Sequence, residues 1–344
     1  MQHGLTRRVF GRAAIGALAA PAILRHARAD TPLKLRCSLD TAPSHPRNQG
    51  VSDYLKKVEA ASGGKITTEL FQSGQLFADL NVSKALLQGQ VEMAVPGAWV
   101  LTGIVPDCDM VQLPYFYGQP AEITHKATDG KPGQFVGQEL ETKLQTHIIG
   151  PWMDLGYQSW YSTKTPLTSV DSFKGLKIRS PGGAAISWRI KFMGGIPNTT
   201  AWPNVPLALS QGTFDALVST DESVNSVKLW EAGVRSSYAD RQFMGQYIPM
   251  IADGFWKKLS PEQQKMMTDI WNANIATYRT NAFASQANAR KVLEANAVKF
   301  TDPSAAILAD TRKRMIADQD SMIREAKLSP EIVKLVQDAI GASA

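Results

Sequence analysis

Cysteine is almost missing from this chain. Cys37 and Cys108 are the only two, which excludes a disulfide-built scaffold. Neither stands in a zinc-type Cys/His spacing, and the five histidines, His3, His26, His45, His125 and His147, are widely separated. In an oxidising compartment the two thiols either pair or, with Cys37 in an apparent core strand, stay free and buried. The chain also lacks a Gly-x-Ser-x-Gly elbow, a Gly-x-Gly-x-x-Gly fingerprint, an internal repeat and any low-complexity tract. Nothing reserves a place for a metal or an organic cofactor, and none is expected. No apolar run reaches the ~18 residues that a membrane span needs.

A strong charge imbalance is missing too, once its location is considered. The formal net charge is +6, but residues 1–29 hold Arg7, Arg8, Arg12, Arg25 and Arg28 and no acid, leaving +1 for the rest. That gives no electrostatic case for nucleic acid. The same segment reads as an export peptide. Thr6-Arg7-Arg8-Val9-Phe10-Gly11 is a twin-arginine motif, Ala13–Leu24 is apolar apart from Pro21, and Ala27-Arg28-Ala29 is a small-residue cleavage site. A basic amphipathic anchor is the competing reading, and it fits poorly because the stretch is apolar all round. Leu35-Arg36-Cys37 is not a lipid-attachment site, because no small residue precedes the cysteine. The expectation is a partner in the twin-arginine export machinery, a mature chain starting near Asp30, and a periplasmic location.

What remains alternates strand and helix. Leu33–Leu39 reads as a strand, Arg47–Ser62 as a helix closed by Gly63-Gly64, and Lys65–Phe71 as a second strand. Leu80–Leu87 reads as a helix capped by Gly89, and Val91–Val95 as a third strand. Such units imply parallel sheets with crossover helices. Ser260-Pro261-Glu262-Gln263 opens a helix with a capping box and runs without proline or glycine to about Ala297. That is long against a mean helix of ~11–12 residues.

The block from Asp171 to Ser219 is the most informative. Leu176-Lys177-Ile178-Arg179 alternates as a short strand, and Pro181 stops it. Arg179 therefore stands at a strand's carboxyl end, where ligands of open α/β sheets collect. Its planar fork suits a carboxylate, although a solvated arginine on a strand face is the plainer reading of pattern alone. Trp202 precedes Pro203 and Pro206, which suit a helix's first turn, and Gly212 suits its carboxyl cap. Trp202 is either a core residue or a ligand wall. Thr213–Ser219 reads as a buried strand.

These residues, with Pro43-Ser44-His45-Pro46, Ser62-Gly63-Gly64-Lys65-Ile66, Gln72-Ser73-Gly74-Gln75-Leu76, Gln88-Gly89-Gln90-Val91-Glu92-Met93 and Leu113-Pro114-Tyr115, resemble one family over nearly the whole mature chain. It is the periplasmic solute receptors of tripartite ATP-independent (TRAP) transporters, of the dicarboxylate-receptor (DctP) type. The resemblance implies an α/β, two-lobe periplasmic-binding-protein fold. Each lobe would be a mainly parallel sheet flanked by helices, and a long helix near the C-terminus would span both. It implies lobe I at residues 30–154 plus about 245–284, and lobe II at 155–244 plus about 285–344. It also implies a small organic acid gripped by Arg179 beside Trp202, and TRAP membrane permease subunits as partners. His45 would touch the ligand or anchor its loop.

The chain departs from the family at several points. Sialic-acid receptors carry a glutamate where Gly97 stands, close to Trp99. Many members carry a second arginine where Gln158 stands, and an asparagine that contacts ligand becomes Ser219. Trp99, Trp160 and Trp202 are each core or apolar wall. These departures point to a monocarboxylate, unless Arg189, Arg235 or Arg241 supplies a second cation. An exported α/β enzyme and an ABC-type receptor are the alternatives. Asp221-Glu222 offers the enzyme little, because neighbours on a helix do not face each other.

Overall fold

The computed structural model describes residues 31–341, and the expected export peptide at residues 1–29 lies outside them. The first strands are β1 (Leu33–Ser38), β2 (Ile66–Phe71), β3 (Met93–Ala94), β4 (Thr146–Ile148), β5 (Met153–Tyr157) and β6 (Ser159–Ser162). Then follow β7 (Lys177–Ser180), β8 (Ile196–Thr199), β9 (Ala216–Ser219), β10 (Ser236–Tyr238), β11 (Met244–Tyr247), β12 (Met250–Ala252) and β13 (Lys299–Thr301). The helices are α1 (Pro46–Ala61), α2 (Asp79–Leu87), α3 (Ala121–Thr128), α4 (Lys131–Leu144), α5 (Ala184–Phe192) and α6 (Val205–Ser210). The chain ends with α7 (Asp221–Ser226), α8 (Asp253–Trp256), α9 (Pro261–Ala295), α10 (Ala305–Ala317), α11 (Gln319–Ala326) and α12 (Pro330–Ile340).

The strands form a five-stranded sheet, β2-β1-β3-β12-β4, and a six-stranded sheet, β13-β10-β6-β9-β7-β8. β1 runs parallel to β2 and β3, and β7 runs parallel to β8 and β9. The carboxyl ends of these parallel strands bring Asp40, Arg179 and Ser219 to one cleft. A two-stranded antiparallel ribbon of β5 and β11 lies between the sheets in sequence. The chain passes from β4 through β5 to β6, returns from β10 through β11 to β12, and crosses again along α9 to β13. Among the described residues no helix is long and apolar enough to cross a membrane.

Local chemistry accounts for the elements. Ser260 Oγ accepts from Gln263 N–H at 3.3 Å, and Gln263 Oε1 accepts from Ser260 N–H at 2.9 Å, so the expected capping box opens α9. Met267, Trp271, Ile275, Tyr278, Ala282, Ala289 and Leu293 then form its buried stripe at three-, four- and seven-residue spacing. His45 Nδ1 accepts from Arg47 N–H at 3.2 Å and caps α1. Thr220 caps α7, and Asp221 and Glu222 occupy its first turn, where acids suit the helix dipole.

Two expectations change. The third strand is only Met93–Ala94, cut short before Pro96. The strand expected from Thr213 begins at Ala216, because Asp215 is diverted. Its carbonyl accepts from Thr163 N–H at 3.0 Å, and its carboxylate accepts from Lys177 N–H at 3.1 Å. The last helix, α12, packs on α3 and α4. Ser329 at its start donates to Asp107 through N–H at 2.8 Å and Oγ at 2.6 Å, and Ile332 and Val336 are buried. Cys37 and Cys108 are both buried and free.

Candidate ligand-binding site

β7 pairs with β8 and β9 on its two sides, and this places Arg179 inside the fold with 3% of its surface exposed. Lys177 shares the strand face of Arg179 but is exposed, and Ile178 points the other way into the core. Arg179 Nε donates to Thr200 O at 3.0 Å, and Nη1 donates to Val218 O at 3.2 Å. A guanidinium has five N–H donors, so the Nη1–Nη2 end keeps hydrogens free for a fork-shaped acceptor. The Trp202 ring lies 5.4 Å from Arg179 Cζ. Among the described residues no carboxylate comes within 4.0 Å of Arg179. Burial pushes its pKa down to about 9, opposed chiefly by the charge of Asp40. It remains a cation at neutral pH.

A cavity of about 40 Å³ faces this group. That is room for roughly three waters, so a larger guest requires the walls to part. Trp99, Gln158, Arg179, Trp202 and Ser219 all line it. Gly97 does not. It sits behind Trp99, and a Cβ there would lie 2.3 Å from the indole. Glycine at this position seats the tryptophan rather than touching the cavity. Trp160 is buried away from the cavity and donates to Asp240 at 2.8 Å. Arg189 binds Gln112 at 2.6 and 2.7 Å, Arg235 binds the Trp230 and Val234 carbonyls, and Arg241 lies over the Tyr157 ring. None of the three lines the cavity.

Four residues that the sequence reading missed complete the site. Asp40, Asp79 and Tyr247 line the cavity, and Arg47 stands behind them. Arg47 Nη2 donates to Asp40 at 2.6 Å, its Nη1 donates to Asp79 at 2.6 Å, and its Cζ lies 4.3 Å from the Tyr247 ring centre. All four are buried. Burial lifts the Asp79 carboxyl to about 7 against the pull of Arg47, and the Asp40 charge adds to the rise. Arg47 is thus a cation already bonded to both acid side chains, and Arg179 has no such partner.

The model of the bacterial extracellular solute-binding proteins, family 7 (DctP), matches residues 38–326. The chain belongs to that family, which consists of solute receptors rather than enzymes. It is 28% identical over 256 residues to the C4-dicarboxylate-binding periplasmic protein DctP of Rhodobacter capsulatus, covering 74% of this chain and 75% of that one. The fold matches the sugar acid binding protein DctPAm of Advenella mimigardefordensis in complex with galactonate. There the TM-score is 0.84 at 18% identity, over 91% of this chain and 99% of that one. It also matches a TRAP solute binding protein of Sulfurospirillum deleyianum with bound succinate, with a TM-score of 0.80 at 21% identity, over 89% and 99%. The two-lobe receptor fold expected from the sequence is therefore present.

Proposed function

We propose that this protein is a TRAP-type periplasmic receptor that closes two lobes around an organic acid carrying one carboxylate, and hands it to TRAP membrane permease subunits. The observation that carries this reading is Arg179, a buried guanidinium facing a cavity with no carboxylate partner among the described residues. The ligand's carboxylate supplies that partner. Trp99 and Trp202 give the ligand apolar walls, and Gln158 and Ser219 offer neutral hydrogen bonds to a hydroxyl or carbonyl. The lobes divide at the three crossings, near residues 154/155, 244/245 and 284/285. Binding relatives of both dicarboxylates and sugar acids are consistent with an organic acid of either length.

One carboxylate is favoured over two by charge. The second cation, Arg47, is already held by Asp40 and Asp79, and these two carboxylates face the guest. A second ligand carboxylate would meet them with no cation to offset its burial. In matched pairs such as butyrate and succinate, the monocarboxylate is expected to bind more tightly by about 1–3 kcal/mol, the usual cost of an unsatisfied buried polar group. Competition titration measures this, and tighter binding of the dicarboxylate would mean that a second cation reaches the guest.

Export is proposed through the twin-arginine machinery, on the strength of Arg7-Arg8 and the Ala27-Arg28-Ala29 site. Periplasmic protein is expected to begin at or near Asp30 on N-terminal sequencing. Exported protein that retains Met1 would contradict this.

A further inference from the structure

A continuous hydrogen-bonded chain runs from α9 to the loop before α1, beside the cavity. On α9, Gln286 Nε2 donates to Leu155 O on β5 at 2.7 Å and to Thr220 Oγ1 at 3.4 Å, and Gln286 Oε1 accepts from Glu222 N–H at 2.9 Å. Thr220 Oγ1 donates to Ser223 Oγ at 3.0 Å. His45 Nε2 lies 3.2 Å from that same Ser223 oxygen. The tautomer follows from the cap: His45 Nδ1 accepts from Arg47 N–H, so the ring proton is on Nε2 and donates to Ser223. The chain therefore links the first-sheet side (His45) to the second-sheet side (Thr220, Ser223) and anchors both to α9 and the ribbon.

The surroundings of His45 do not accommodate a positive ring. Arg47 faces it from α1, and the Tyr247 ring of β11 stands 6.3 Å away, edge-on. α7 presents hydroxyls, while its acids are engaged elsewhere, Asp221 with Tyr161 and Glu222 with Asn225. Asp40 and Asp79 are held by Arg47, and among the described residues none of these carboxylates forms an ion pair with His45.

We propose that Gln286, Thr220, Ser223 and His45 form a closing latch whose burial beside Arg47 favours a neutral His45, so that ligand capture weakens in acid. The inference rests on the receptor reading above. His45 and Gln286 act here as positioning residues, since neither lines the cavity. Burial, with Arg47 beside it, pushes His45 down to about 3 in this closed arrangement. With α7 drawn away and water at the ring, it would rise toward the ordinary value near ~6.5, held below it by Arg47 and the α1 cap, which stay beside it. Closing must then expel a proton below that pH, so affinity is unaffected above it and falls as the pH drops through it.

Buried carboxyls elsewhere bear on the raw pH profile, so the test is a comparison. Galactonate, D-glucuronate, orotate and succinate, each bound in a solved structure of similar fold, serve as probes, and the tightest is carried forward. Between pH ~7.5 and ~5.5, dissociation constants are measured for wild type, His45→Gln and His45→Asn. Asparagine is a strong helix cap and keeps α1 started if glutamine does not. The wild-type constant is expected to rise by up to about tenfold more than that of either variant over this interval. Gln286→Leu is expected to release the probe faster at neutral pH. An equal pH response in wild type and both variants overturns the latch alone. No binding of any probe to the wild type overturns the receptor reading and the latch with it.

Discussion

Replacing Arg179 with alanine is expected to weaken binding of the organic acid by at least ~2 kcal/mol, the low end for truncating one partner of a buried charged pair. The loss is large because nothing nearby can substitute. Arg47 is occupied by Asp40 and Asp79, and Arg189, Arg235 and Arg241 are committed elsewhere. Arg179→Lys should also bind poorly, because an ammonium cannot make two parallel bonds to one carboxylate. It would also lose the paired anchors on the Thr200 and Val218 carbonyls that aim the fork. Titration calorimetry on the folded variants decides the matter. Wild-type affinity in the alanine variant would place the carboxylate elsewhere.

The second large effect concerns stability. Arg47→Met would leave Asp40 and Asp79 buried without their cation, a change expected to cost about 3–5 kcal/mol. Denaturant unfolding reads this directly. The deficit should depend on pH with a definite sign. A carboxyl whose folded pKa is raised binds its proton more tightly in the folded state, so stability rises as pH falls through that value. Asp79 already sits near 7 with Arg47 in place, and the variant raises it further. The deficit of Arg47→Met should therefore narrow on going from pH ~8 to ~5, and Asp40→Asn with Asp79→Asn in the same chain should remove most of it. A deficit that stays the same across this range would show that Arg47 stabilises through packing on Tyr247 instead.

The parts of this molecule legible in the sequence are those set by neighbours in the chain. The start of α9 was readable because Ser260, Pro261 and Gln263 act within one turn. The strand end at Arg179 was readable because Pro181 marks where the strand must stop, while its role toward a ligand came only through the family pattern. Trp99, Gln158, Trp202 and Ser219 were found through a family pattern and do line the cavity. The acid pair and its arginine were not found. Asp40 follows one strand, Asp79 opens a helix and Arg47 lies in the first turn of another, and each alone reads as a cap or a solvated charge. Only the parallel pairing of β1 with β2 and β3 brings them together. The available signal was position: charges just past the carboxyl ends of parallel strands. Gly97 was named from a family alignment, and the sequence carried no sign that the Trp99 indole fills the space beside it.

One irregularity of the β5–β11 ribbon has a consequence for how its length can vary. Gly245 pairs with Gly156, but the next residue, Gln246, pairs with Asp154, so Leu155 is the extra residue of a bulge. Freed from the ladder, Leu155 turns its side chain to the cavity and its carbonyl to Gln286. Beside it Gly156 holds φ +131°, where only glycine is comfortable, and Gln286 fills the space that a Cβ would take. The restriction here is on residue count as much as on residue kind. Exchanging Leu155 for another apolar side chain keeps the carbonyl in place, whereas deleting it would straighten the ribbon and withdraw that carbonyl from α9. A sequence that aligns well elsewhere but is one residue short at this strand should be expected to build a different joint.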